Sequence, residues 1–266
     1  MKLIYITADP AMAQKAQTAG IDRVMVDLEI VGKEMRQGHL DTVISRHGPG
    51  DVTALRDVLE RSELMVRVNP LFDGSQAEID DVIARGADRL MLPMFRHPDE
   101  VARIIDMIGA RVPLTLLVET GAALARLPRI AALEGVDDVH IGLNDLHLEL
   151  KLDFMFELFG SGLLDLAADT LRAAGLPFGI GGVARLGQGR LPAELILSEH
   201  MRLGSSRVIL SRAFSADTDA REDFLTVEVA RLRAYLERPD VPLEENREKL
   251  ALAAAEIAAD IARAKV

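Results

Sequence analysis

The chain predicts a (β/α)₈ barrel with one extra helix at its C-terminus. Three observations point there. Eight short, β-branched apolar runs alternate with longer segments of helical period. The runs are nearly continuous rather than alternating with polar residues, which means burial on both faces, as in a parallel sheet wrapped by helices. The turn after the first run, Thr7-Ala8-Asp9-Pro10, lacks the glycine fingerprint that an open doubly wound sheet would favour. At 266 residues and 49% hydrophobic content, the chain suits a single barrel-sized domain over residues 1–266.

The elements follow in order. Residues 3–7 read as a strand, and residues 10–19 as a helix closed by Gly20. Residues 23–29 form a second strand ending in Asp27 and Glu29, followed by a long polar loop from Ile30 to Gly50. Asp51 is placed to cap a helix reaching Arg61. Residues 64–68 make a third strand, and Ser75 with Glu78 reads as a capping box opening a helix that ends at Gly86. Strand four, residues 88–92, is stopped by Pro93, and residues 98–108 form a helix ended by Gly109. Strand five is 113–118, a helix covers 122–133, and strand six is 138–141. Residues 154–174 have helical period interrupted at Gly160-Ser161-Gly162, so two helices are expected. Strand seven is 177–180, ending in Gly181-Gly182, followed by a helix over 192–203 and strand eight over 207–210. Helices over 220–237 and 243–264 complete the chain. The last, within 241–266, carries Leu243, Leu250, Ile257 and Ile261, a stripe expected to cover a neighbouring subunit or its own barrel.

Composition narrows the function. A net charge of −11 argues against a nucleic-acid or anionic-membrane partner. Without cysteine there is no disulfide, thiolate catalysis or Cys-ligated zinc. The N-terminal apolar run is too short for a signal peptide, and no run reaches the ~20 residues of a membrane span, so a cytoplasmic location is expected.

In a barrel, chemistry gathers at the C-terminal strand ends. There the sequence places Asp27 and Glu29, Arg67 and Asn69, Pro93 and Met94, Glu119, Asn144 and Asp145, Gly181 and Gly182, and Ser211 and Arg212. Two short apolar runs end in acids, at Val118-Glu119-Thr120 and at Gly142-Leu143-Asn144-Asp145-Leu146-His147. Carboxylates at neighbouring strand ends with open water positions suit Mg²⁺ or Mn²⁺. Such an ion would polarise a carbonyl and stabilise a developing enolate. Arg67 is placed to pair with a substrate carboxylate or enolate oxygen. The plainer alternatives are helix capping for Glu119 and Asp145, and a salt bridge to Asp27 or Glu29 for Arg67. Asp27 and Glu29 are expected to orient their neighbours.

These residues together, Asp27-Leu28-Glu29, Arg67-Val68-Asn69-Pro70, Leu92-Pro93-Met94, Glu119-Thr120 and Gly142-Leu143-Asn144-Asp145-Leu146, resemble the HpcH/HpaI aldolase and citrate lyase β-subunit family of the phosphoenolpyruvate/pyruvate-domain superfamily. The resemblance runs over residues 1 to 215. It implies a (β/α)₈ barrel, a homo-oligomer (trimer or hexamer) with an exchanged C-terminal helix, and a metal-dependent, class II aldolase or lyase working through a pyruvate-like enolate of a 2-oxo acid. It further implies that Glu119 and Asp145 are metal ligands, that Arg67 steadies the carbonyl and enolate oxygens, and that Gly182 and its neighbours lie near substrate.

One departure is visible. The hydroxy-keto-acid aldolases follow the strand-two acids with a histidine, and the citrate-lyase-like branch with a further acid. Here Ile30-Val31-Gly32-Lys33 follows Glu29. In place of that histidine stands a basic loop containing Lys33, Arg36, Gln37, His39, Arg46 and His47. His47 is the candidate general acid/base, with Arg36 and Gln37 as substrate contacts. The loop resembles a branch found beside surface-polysaccharide genes. An alternative substrate is therefore a phosphorylated, nucleotide-linked or phosphoenolpyruvate-type molecule, held by Gly181, Gly182, Arg185 and Arg212. For Gly181-Gly182 the plain alternative is a tight turn.

Overall fold

The computed structural model describes residues 1–31, 47–211, 214 and 223–265. Its apolar runs form a closed, wholly parallel barrel in which each strand pairs with its sequence neighbours. The strands are β1 (Lys2–Ile6), β2 (Arg23–Asp27), β3 (Glu63–Arg67), β4 (Arg89–Leu92), β5 (Leu114–Val118), β6 (Asp138–Ile141), β7 (Phe178–Val183) and β8 (Arg207–Leu210). Closure is made by β1 on β8, where Lys2 faces Arg207 and Ile4 faces Ile209. The (β/α)₈ expectation is met, and the extra C-terminal helix is present as α12 (Leu243–Ala264).

Side chains alternate along each strand, so every second residue points into the barrel. The outward set, including Leu3, Val24, Val26, Leu64, Val66, Val139 and Ile141, joins the helix undersides in one continuous core. The inward set is separate: Ile4, Met25, Met65, Met91 and Leu117, with Ile6 and Ile209 against them.

Below that layer lies a charged floor. Each even strand begins with a member of it: Arg23, Arg89, Asp138 and Arg207. Asp138, 1% exposed, accepts from Arg23 Nη2 at 2.9 Å, Arg207 Nε at 3.1 Å and Thr115 Oγ1 at 2.6 Å. Glu63 accepts from Arg23 Nε at 2.5 Å and Arg89 Nε at 2.8 Å. Burial works against the Asp138 charge, but Arg23, Arg207 and the Thr115 hydroxyl outweigh it and hold the carboxyl below its ordinary range.

The residue just before three even strands does a second job. Asp22, Asp88 and Asp137 each accept a side-chain bond from the amide of the leucine opening the preceding strand pair: Leu3, Leu64 and Leu114, all at 2.8 Å. Each of these aspartates also donates its own amide to that leucine's carbonyl.

Several local expectations are corrected. The helix α2 (Pro49–Arg56) starts on Gly48, and Asp51 sits in its first turn, where it accepts the Gly48 amide at 2.7 Å instead of acting as N-cap. In α3 (Ser75–Ala84) the N-cap is Gly74, and Glu78 turns away from the cap to bond Asn69, so no capping box forms. After α4 (Pro98–Ile108), the expected helix over 122–133 is two: α5 (Gly121–Ala125) and α6 (Leu127–Ala131). Pro128 lies in the first turn of α6, where a missing N–H costs nothing. The polar turn expected after β6 is a helix, α7 (Leu143–Glu149), which buries Leu143 and Leu146. The 154–174 segment divides as expected into α8 (Glu157–Gly160) and α9 (Leu163–Ala173), with Gly162 left-handed between them. β7 extends through Gly181 and Gly182 to Val183, with its register against β8 shifted between Gly179 and Gly182.

The face of α12 bearing Leu250, Ala254 and Ile257 is buried against α8 and α10 (Ala193–Leu203) of the same chain. Asn246 fixes it by donating to Ser198 Oγ at 2.7 Å, and Ser198 in turn meets the Tyr235 hydroxyl of α11 (Phe224–Leu236). No helix among the described residues is long and apolar enough to cross a membrane.

The floor generates a prediction. Asp138→Ala leaves buried Arg23 and Arg207 without their shared anion and should cost about 3–5 kcal/mol in a urea titration at neutral pH. Because the folded-state pKa is depressed, Asp138 stabilises the fold above the unfolded carboxylate pKa. That contribution vanishes as pH falls through the folded value, so the gap between wild type and variant should close in acid. A loss below about 1 kcal/mol would show the cluster to be no more than a surface-type ion pair.

Candidate active site

The rim opposite the floor is built from the last residues of β2, β3 and β5 and the loops beyond them. Arg67 ends β3 and pairs in register with Asp27 at the end of β2. Its Nε and Nη2 donate to the two oxygens of Asp27 at 2.8 and 2.7 Å, and Glu29 Oε2 stands 3.6 Å from Nε. This is the bidentate geometry a planar guanidinium favours. Burial opposes the Arg67 charge, but Asp27, Glu29 and Glu119 more than offset it, so its pKa is raised and the group stays ionised. The salt bridge weighed as the plain alternative is therefore present, with Nη1 left outside it.

Glu119 follows β5 and is 4% exposed. Burial pushes its carboxyl up to about 8. The charges of Glu29 and Asp145 add to the rise, while Arg67 and the Met94 amide oppose it. Asp145 lies in the first turn of α7, half-buried and within electrostatic reach of Glu119. Thr120 caps α5 by accepting the Ala123 amide at 3.1 Å, and its hydroxyl donates to the Phe95 carbonyl at 2.9 Å.

His47 is brought to the same rim. Its Nδ1 accepts the backbone amide of Asp27 at 3.0 Å, which places the proton of the neutral ring on Nε2. Asn69, a candidate substrate contact just beyond the end of β3, also has an architectural task. Its Oδ1 accepts the amides of Ile30 and Val31, both at 2.9 Å, and its Nδ2 donates to Glu78 at 2.6 Å. Arg185 is 7% exposed and its guanidinium lies 4.9 Å above the Phe224 ring, a cation–π contact. Gly181 has φ 46°, and its carbonyl accepts from His140 Nε2 at 2.9 Å. The pair lies inside β7, where the register against β8 shifts, and does not form a terminal turn. Burial keeps His140 neutral, its pKa near 4. His147 contacts the Leu143 carbonyl within α7. Arg36, Gln37, His39 and Arg212 lie outside the described residues.

Two residues named at the strand ends in the sequence, Met94 and Gly142, turn out to bear on Glu119. Met94 holds a left-handed backbone, φ 55°, and its amide donates to Glu119 Oε1 at 3.1 Å. Gly142 gives Glu119 room. A methionine in a left-handed turn leaves no mark in sequence, and only the Pro93-Met94 break in the apolar run hinted at it.

The donor set was tested against a divalent cation. Glu119 and Asp145 are hard oxygen donors, and the crowding that raises the Glu119 pKa is what a dication would relieve. Among the described residues no group of three or more His, Cys, Asp or Glu is placed to enclose a metal. That is unlike structural zinc but compatible with Mg²⁺ or Mn²⁺, which bind through one or two carboxylates and keep water. The residues therefore fit such an ion.

A parallel barrel with a buried acid, a paired arginine and a histidine on its C-terminal rim defines a barrel enzyme with an acid-rich active site. The chain belongs to the HpcH/HpaI aldolase/citrate lyase family, whose model matches residues 3–157. Membership makes it an enzyme of the lyase kind. Its fold is shared with the HpcH/HpaI aldolase of Desulfitobacterium hafniense DCB-2, at 14% identity and TM-score 0.61 over 90% of this chain and 94% of that one. An HpcH/HpaI aldolase/citrate lyase family protein of Burkholderia cenocepacia J2315 aligns at 18% identity and TM-score 0.62, over 89% and 93% of the two chains. Citrate synthase SbnG aligns at 16% identity and TM-score 0.61, over 89% and 94%. No curated protein matches the sequence.

The raised pKa of Glu119 has a measurable consequence in metal-free protein. A carboxyl whose folded-state pKa exceeds its unfolded value destabilises the fold progressively as pH rises from the unfolded value to the folded one. Glu119→Gln should therefore melt higher than wild type, by a margin that widens between about pH 5 and 8 and then levels off. An unchanging margin across that range would contradict the burial of this acid.

Proposed function

We propose that the protein is a divalent-metal-dependent carbon–carbon lyase of the aldolase type, acting on a 2-oxo acid through a pyruvate-like enolate. The observation that carries this reading is Glu119: a carboxylate buried beside Asp145 and facing the Arg67 guanidinium, on the rim of a lyase-family barrel. Glu119 and Asp145 would hold the ion. When bound, it supplies Lewis-acid polarisation of the 2-oxo carbonyl and stabilises the charge that develops as the C–C bond breaks.

The chain's own groups do the rest. Arg67 is locked by Asp27 and cannot swing, so its remaining edge, Nη1, presents a fixed positive charge to a carboxylate or enolate oxygen. Fixing the donor beforehand avoids reorganisation when charge develops. His47, oriented through Nδ1, exchanges a proton at Nε2 with the departing or attacking oxygen. Asn69 ties down Ile30 and Val31 and so sets where the segment after β2 leaves the rim.

The test is proton exchange on pyruvate in D₂O, followed by NMR. With Mg²⁺ or Mn²⁺ the methyl protons should wash out, and EDTA should stop the exchange. Arg67→Ala and Glu119→Ala should each slow it about a hundredfold or more. Absence of exchange in the wild type with Mg²⁺, Mn²⁺ and Co²⁺ alike would overturn the proposal.

A further inference from the structure

Glu119 is held from both sides by groups that carry no chemistry of their own. On one side its Oε1 takes the Met94 amide at 3.1 Å. That amide is available because Met94 adopts φ 55°, a left-handed conformation that a non-glycine residue occupies only when its surroundings impose it. The surroundings here are identifiable. Thr120, the neighbour of Glu119, donates to the carbonyl of Phe95, the neighbour of Met94, and the Phe95 side chain is 1% exposed. The two dipeptides are thus clasped together, and the strained amide falls on the carboxylate.

On the other side stands Gly142. Its backbone, φ −85° and ψ 101°, is one that any residue adopts, so conformation does not demand glycine here. Space does. A Cβ at 142 would lie 2.8 Å from Glu119 Cβ and 2.9 Å from Glu119 Oε2. Gly142 is also the N-cap of α7, the helix that carries Asp145 in its first turn. The oxygen of Glu119 not taken by Met94, Oε2, therefore lies against the bare Cα of Gly142.

We propose that Met94 and Gly142 are positioning residues for Glu119: the Met94 amide occupies Oε1, and the missing side chain at 142 lets Oε2 through as the oxygen offered to a divalent cation. This rests on the metal-binding reading above. It differs from simple packing because it assigns to two residues without ligand atoms a direct influence on cation affinity.

The experiment is Mn²⁺ titration of the full chain, read by the EPR signal of free Mn²⁺, with circular dichroism and melting curves for each variant. Gly142→Ala should weaken Mn²⁺ about 10–100-fold, the range typical of losing a group that orients a ligand, while the dichroism spectrum is retained. Met94→Val should weaken it similarly, because a β-branched residue resists positive φ and withdraws the amide. Met94→Gly keeps the amide and accepts the conformation, so it should bind within about twofold of wild type and melt higher. If Gly142→Ala does not fold, the Met94→Val and Met94→Gly pair decides, since opposite effects of two substitutions at one backbone position cannot come from lost side-chain packing. Wild-type affinity in both Gly142→Ala and Met94→Val would overturn this proposal alone. No Mn²⁺ binding by the wild type would overturn the metal reading and this proposal with it.

Discussion

The open end of the barrel depends on a buried carboxyl, that of Glu119. Asp27, Glu29 and Glu119 share a buried rim with the Arg67 guanidinium. Among the described residues Arg67 bonds Asp27 and stands near Glu29, while Glu119, which it does not bond, has its pKa raised chiefly by burial. The neighbouring architecture can be read as a response. A strained amide is brought to Glu119, a side chain is omitted at Gly142, and Asp145 is set at a helix start nearby.

Charge at one end of so small a barrel must not short-circuit charge at the other. The floor carries Arg23, Arg89 and Arg207 with Glu63 and Asp138, and the rim carries the acids and Arg67. What separates them is a single apolar layer centred on Ile4, Met25, Met65, Met91 and Leu117. Unbranched methionines fill irregular space without demanding one shape, which suits a plug between two charged layers. His140 belongs to this depth. Burial keeps it neutral, and it donates to the Gly181 carbonyl beneath the irregular turn of β7.

The barrel itself was legible because burial on both faces imposes near-continuous apolar strands, and eight such runs with intervening helical period leave few other folds. Glu119, Asp145 and Arg67 were legible as strand-end acids and base, since a parallel sheet gives such residues little other reason to sit there. What escaped was decided by neighbours distant in sequence. Glu78 looked like a capping-box acid, but Asn69 offered it both an amide and a side-chain donor. Arg185 stands near glycines in sequence, and its contact with the Phe224 ring, from α11 further along the chain, left no local mark. The left-handed Met94 depends on a clasp to Thr120 across two loops, and no local propensity records that.

The aspartates that precede β2, β4 and β6 say something about how the barrel is put together. Each returns to the strand before it and satisfies the amide of that strand's leading leucine, at Leu3, Leu64 and Leu114. Among the described residues no such carboxylate stitch runs from an even strand to the odd strand after it, and at the last pair Ser206 stands where an aspartate would, donating its amide to Phe178. The unit of construction is therefore two strands and the helix between them, sealed at its base by one carboxylate. A barrel assembled from sealed pairs has weaker seams between pairs, so partial unfolding should part the wall at β4–β5 or β6–β7 first, since β2–β3 is also held by Arg23–Glu63 and the bidentate Arg67–Asp27 pair.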